Sequence, residues 1–194
     1  TPVEEHLNET IFYKNEGKRP KVHFTISNEH QNLFEEIINQ YSEFNVSYSF
    51  QKESTDTIAV NLDNSPFRLE NGSLFFRPGG HGALIENLNQ LESDIIFIKN
   101  IDNVSQNHIV DIIKYKKVLG GLLLKTQKQV FQYLSQIESK NNSDEQINEI
   151  KTFAKETLNI SLPINFDKFQ SEYKVDLLFN ELNRPIRVCG MVKN

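Results

Sequence analysis

Six consecutive residues, Arg77-Pro78-Gly79-Gly80-His81-Gly82, set three glycines around one histidine. Glycine adopts positive φ without a Cβ clash and lets backbone come close to a ligand. The following residues predict a helix, whose first free amides would face the loop and offer a place for an anion or the polar edge of a base. Gly79, Gly80, His81 and Gly82 are therefore candidate substrate contacts; a tight turn that simply needs glycine is the other reading of the same residues. Further on, Asn100-Ile101-Asp102-Asn103 follows an apolar run, residues 95–98. If that run is a buried strand, Asp102 lies at its carboxyl end, where open α/β sheets bind ligands. A carboxylate there suits Mg2+, which takes oxygen ligands and shares them with substrate phosphates. Asp102 is the candidate metal ligand and catalytic residue, with Asn100 and Asn103 placed to orient sugar or phosphate oxygens. Capping of the next helix by Asp102 is the alternative.

The elements that must position these residues are read from periodicity. A short helix is expected near 2–13, a turn over 15–20, and a β-branched and aromatic strand over 22–26. Ser27 or Asn28 can cap a helix in which Leu33, Phe34, Ile37, Ile38 and Tyr41 recur at helical spacing. Strands are expected over 46–50, 57–60 and 73–76, a helix over 82–91, and a strand over 94–101 apolar enough to be covered on both faces. Helices are then expected over 107–119, stopped by Gly120-Gly121, over 126–138, and from Ser143, with Gln146 completing a capping box, to about 158. Residues 122–124 read as a short strand, 166–182 as one helix or two short ones, and 185–192 as a strand. No internal repeat is evident. The alternation predicts a layered α/β fold with mainly parallel strands and a helical insertion or lid over 125–182.

Composition removes several classes. The chain has 194 residues, 38% hydrophobic and 24% charged, which suits one sizeable core rather than disorder. A formal net charge of -5 without a long basic cluster disfavours a nucleic-acid partner. Cys189 is the single cysteine, so neither a disulfide nor a cysteine metal site is expected within the chain; it reads as a small buried strand residue. His6, His23, His30 and His108 lack zinc-ligand spacing. No apolar run is long enough to span a bilayer, and residues 1–7, without a basic region leading into an apolar segment, are not expected to be a signal peptide. A reducing, cytoplasmic setting is expected. Met191 is the only methionine, and the chain reads as a piece truncated at both ends, missing flanking parts of its own polypeptide.

The order Gly-His-Gly, helix, apolar strand, Asn-Ile-Asp-Asn resembles the UDP-sugar pyrophosphorylases, among the sugar-1-phosphate nucleotidyltransferases, over roughly residues 22–104. The whole chain also resembles a bacterial domain family of unknown function, through Thr-Pro-Val-Glu-Glu-His-Leu at 1–7, Phe-Gln-Lys-Glu-Ser-Thr-Asp-Thr-Ile-Ala-Val at 50–60 and Arg-Pro-Gly-Gly-His-Gly-Ala-Leu at 77–84. The first resemblance implies a three-layer, glycosyltransferase-A-like α/β fold and transfer of a nucleotidyl group from NTP to a sugar-1-phosphate. It implies that Gly80, His81 and Gly82 line a nucleoside or sugar pocket and that Asp102 holds Mg2+ against the phosphates. It also implies that Gln51 is the glutamine after an equivalent strand and that Lys193 neutralises phosphate. The expected partner is a nucleotide-sugar or sugar phosphate. Two features depart from that pattern: no glycine-rich nucleotide loop with a basic residue is found, and Ala83 stands where an acidic residue usually follows Gly-His-Gly. A fragment inactive alone, or a non-catalytic nucleotide-sugar or protein binding module, is the alternative expectation.

Overall fold

The structure is a computed structural model that describes residues 1–14, 16–104, 107–139 and 142–190, the side chain of His81 excepted. It is a mixed α/β chain with two compact units, Thr1–Asn107 and His108–Asn194.

The first unit is built on a parallel strand pair joined by a helix. Helix α1 (Pro2–Thr10) starts where the sequence favours a start: Pro2 occupies the first turn and Thr1 with Glu4 forms a reciprocal capping box. Strand β1 (Lys21–Ile26) leads through a 3-10 turn into α2 (Gln31–Ile38) and then β2 (Asn45–Phe50). The strands pair in parallel from Lys21 opposite Asn45 to Ile26 opposite Phe50. Leu7 of α1, Phe24, Phe34 and Phe44 form the buried centre, with Val22, Ile26, Ile38, Val46 and Tyr48 packed against it. Phe24, Phe34 and Tyr48 meet edge-to-face with centroids 5.2 and 5.3 Å apart, the arrangement aromatic quadrupoles favour.

The predicted strands at 57–60 and 73–76 pair antiparallel rather than extending the parallel sheet. β3 (Thr57–Ile58) pairs with β4 (Phe76–Arg77), and bridges join Val60 to Pro66 and Arg68 to Leu74. Here the structure reveals a repeat that was not recognised in the sequence. Ala59, Phe67 and Phe75, eight residues apart, close a ring of backbone hydrogen bonds: Ala59 N–H donates to Phe75 O, Phe75 N–H to Phe67 O, and Phe67 N–H to Ala59 O, at 2.9, 3.1 and 2.8 Å. The turns between them repeat with the same period. Asp63 and Asn71 each accept from the backbone and hydroxyl of the serine two residues on, and Asn64, Gly72 and Gly80 all have positive φ. The repeat hides in the sequence because its equivalent turn positions are filled by asparagine, glycine and glycine.

Residues 94–101 form no strand, which corrects the expected buried strand. Phe97 and Ile98 are 55% and 73% exposed. The segment is held to α1 and the 3-10 turn after it (Ile11–Tyr13) through side chains: Tyr13 stacks on Phe97, Lys99 pairs with Glu9, and His6 bonds the Ile101 carbonyl. Four apolar residues mark an extended chain, but only a hydrogen-bonding partner makes it a strand. The helix expected over 82–91 is present as a 3-10 turn from His81 and α3 (Ile85–Asn89).

The second unit is helical among its described residues: α4 (Ile109–Glu138), α5 (Asp144–Glu156) and α6 (Ser171–Leu182), with a 3-10 turn at Phe166–Lys168. The expected stop at Gly120-Gly121 and the strand at 122–124 are replaced by one continuous 30-residue helix. Each interior glycine costs roughly 1 kcal/mol against alanine, a cost the flanking leucines and lysines absorb. Val130, Tyr133 and Ile137 of α4 pack with Ile147, Ile150 and Ala154 of α5 and Leu178 and Leu182 of α6. Ser143 caps α5 in the expected box with Gln146. Residues 185–190 form no strand, and Cys189 is exposed rather than buried in one. Among the described residues no helix is long and apolar enough to cross a membrane.

Candidate functional site

The carboxyl end of β2 is where the glycine loop is attached. Asn87 of α3, only 4% exposed, donates from Nδ2 to Ser49 Oγ and to Phe50 O, both at 2.8 Å. Lys52 and Glu86 add an ion pair at 2.5 Å. These contacts strap α3 to the end of the strand and so fix the loop before it. Within the loop Gly80 has φ +82° and ψ 129°, a conformation open to glycine and strained for other residues. Ala83 N–H donates to Gly80 O at 3.1 Å, starting the 3-10 turn. Gly79 and Gly82 lack positive φ. A Cβ at Gly79 would touch Thr57 Oγ1 at an ordinary 3.7 Å, and one at Gly82 would meet open space. Of the three loop glycines only Gly80 therefore needs glycine for its own backbone. Gln51 also sits here, but its amide is engaged locally, donating to Asp56 Oδ1 at 3.2 Å.

Two residues of this corner were not singled out from the sequence. Asn87 lies among Leu84, Leu88 and Leu91 on a short helix, and a lone amide on an apolar face was its only signal. Its Oδ1 is buried without a hydrogen-bond partner among the described residues, and such an acceptor calls for a donor. The second is His23. It lies on β1, with Nδ1 2.8 Å from Ser47 Oγ and Nε2 2.9 Å from Ser49 Oγ. One donor order satisfies the whole row: Asn87 donates to Ser49, Ser49 to His23 Nε2, and His23 Nδ1–H to Ser47. Burial lowers the His23 pKa, which favours that neutral form.

Asp102 belongs to a different support. Asn103 N–H donates to Asn100 O at 3.1 Å, so Asn100, Asp102 and Asn103 share one exposed turn. His6 Nε2 holds the Ile101 carbonyl at 2.9 Å, and Lys99 pairs with Glu9, which is 8% exposed. Tyr13 donates to Glu9 and stacks on Phe97; burial and then the Glu9 charge push its phenol upward. The candidates thus fall into two groups: Gln51 and residues 79–82 anchored to β2, and the Asn100–Asp102–Asn103 turn anchored to α1. Among the described residues no three His, Cys, Asp or Glu side chains gather as a metal site. Lys193 lies outside the described residues, as does the His81 side chain.

The chain belongs to DUF4301, a domain family of unknown function that matches residues 1–194. No curated protein and no solved structure matches it.

Proposed function

We propose, with membership of that family as the premise, that the carboxyl edge of the β1–β2 pair binds a nucleotide-sugar or sugar phosphate, and that the chemistry is nucleotidyl transfer. The carrying observation is the strapping of the 79–82 loop to the end of a parallel strand by Asn87. That edge is where parallel α/β units bind ligands. In this reading Gly79, Gly80, His81 and Gly82 shape the pocket for base or sugar. Gln51 buttresses its floor, while Asn100 and Asn103 meet sugar or phosphate oxygens. A phosphate oxygen of the sugar phosphate attacks the α-phosphorus of NTP as the bond to pyrophosphate breaks. Positioning and charge neutralisation supply most of the rate, with Lys193 offsetting phosphate charge directly and Asp102 holding the Mg2+ that would do the same. A single exposed carboxylate suits a Mg2+ that is shared with the nucleotide's phosphates, and not an ion caged by protein alone. When bound, Mg2+ would offset the negative charge developing on those phosphates. The three-layer nucleotidyltransferase fold belongs to the same proposal, and the parallel pairing of β1 with β2 supports it.

The test is pyrophosphate release by the protein, given Mg2+, NTP and a panel of sugar-1-phosphates. Release that falls at least about a hundredfold in Asp102→Ala supports the reading; no release across the panel sinks it. A non-catalytic binding module is the second reading, favoured by the lone, exposed Asp102 and by Ala83 after the glycine loop. It expects nucleotide-sugar binding without turnover.

A further inference from the structure

At the opposite end of the same strand pair a cleft of about 420 Å³ opens between the segment after α1 and the segment before β2. Its volume falls within the range of small-molecule sites. Lys14, Lys18 and Arg19 line it against one carboxylate, Glu43, and Ile11 and Phe44 give it an apolar wall. Three cations and one anion leave a local charge of +2 in a chain whose formal charge is -5. None of the three cations forms an ion pair with a described residue. The frame is firm: Phe44 is 6% exposed and rooted in the core, and Asn45 N–H donates to Pro20 O at 2.9 Å. Unpaired like charges around one concavity repel each other, and an anion held between them relieves that repulsion.

We infer that this cleft is a second binding site, for a phosphorylated small molecule whose phosphate meets Lys14, Lys18 and Arg19 and whose body rests on Ile11 and Phe44. Arginine and lysine supply charge-assisted hydrogen bonds to phosphate oxygens. The cleft shares no residue with the glycine loop, which is anchored at the far end of β2, roughly 16 Å away at ~3.3 Å per residue. Occupancy of the two sites therefore succeeds or fails independently.

The experiment is calorimetric titration of the protein with inorganic pyrophosphate at low ionic strength, repeated with added salt. With Mg2+ left out, so that the proposed nucleotidyl-transfer site does not hold its own product, one saturable site is expected, weakened by salt. The double variant Lys18→Ala/Arg19→Ala weakens it at least about tenfold, while Glu43→Gln, which removes the opposing charge, tightens it by about threefold. A misfolded variant would not bind more tightly, so the gain separates loss of site from loss of fold. Gly82→Ala and Asp102→Ala leave the affinity unchanged. No saturable binding, equal affinity in the double variant and Glu43→Gln, or loss of binding in Asp102→Ala each overturns the assignment.

Discussion

Gly80 and Gly82 stand two positions apart, and a methyl group would affect them differently. At Gly80 the backbone occupies a region that side chains strain. Gly80→Ala is expected to lower stability by ~1–3 kcal/mol, read as the shift in urea midpoint. At Gly82 the backbone is ordinary and the space is open, so an alanine tests the pocket rather than the fold. His23 gives a second residue-scale outcome. Burial holds its folded pKa below the ordinary value, so in the histidine range the unfolded chain binds more protons. Stability then rises with pH through that window, is fully present above about pH 6.5, and falls on acidification. Urea midpoints from pH 8 to pH 5 should show this fall, and His23→Gln should flatten it. Glu35, held below the ordinary carboxylate value of 4.5 by hydrogen bonds from Tyr48 and Gln31, loses its contribution only as pH falls below about 4.5–5, at the acid limit of the test.

At the scale of elements, legibility followed whether a signal was local. The cap of α5 and the β1–α2–β2 succession were readable because capping residues and helical or alternating apolar spacing act within a few residues, whereas α2 starts after His30 without the side-chain cap expected from Ser27 or Asn28. The 94–101 run was misread because strand formation depends on a partner elsewhere in the chain. The glycine pair in α4 was misread because a breaker's cost is small beside a long helix's hydrogen bonding and packing. Gly121 has no neighbour within 4 Å of an added Cβ and no positive φ. Gly121→Ala should therefore stabilise the second unit by up to ~1 kcal/mol, seen as a higher thermal midpoint; a lower one would mean the glycine serves something beyond the helix.

For the whole molecule, the glycine loop was legible in the sequence, but its reason for being glycine was only half legible. The positive φ at Gly80 explains that glycine and leaves Gly79 and Gly82 without a backbone cause. Asn87 and His23, which tie the loop to the sheet, carried almost no sequence signal because buried polar partners show themselves only in three dimensions. Asp102 was legible as a carboxylate after an apolar run, yet it rests on α1 rather than at the end of a strand. The central claim is that residues 79–82 form a nucleotide-sugar pocket at the end of β2. Its most direct test is calorimetric titration with a panel of UDP-sugars, comparing the parent protein with Gly82→Ala. The account predicts saturable binding of at least one UDP-sugar, weakened about tenfold or more in Gly82→Ala with the thermal midpoint unchanged. Absence of binding across the panel, or equal affinity in the variant, would contradict it.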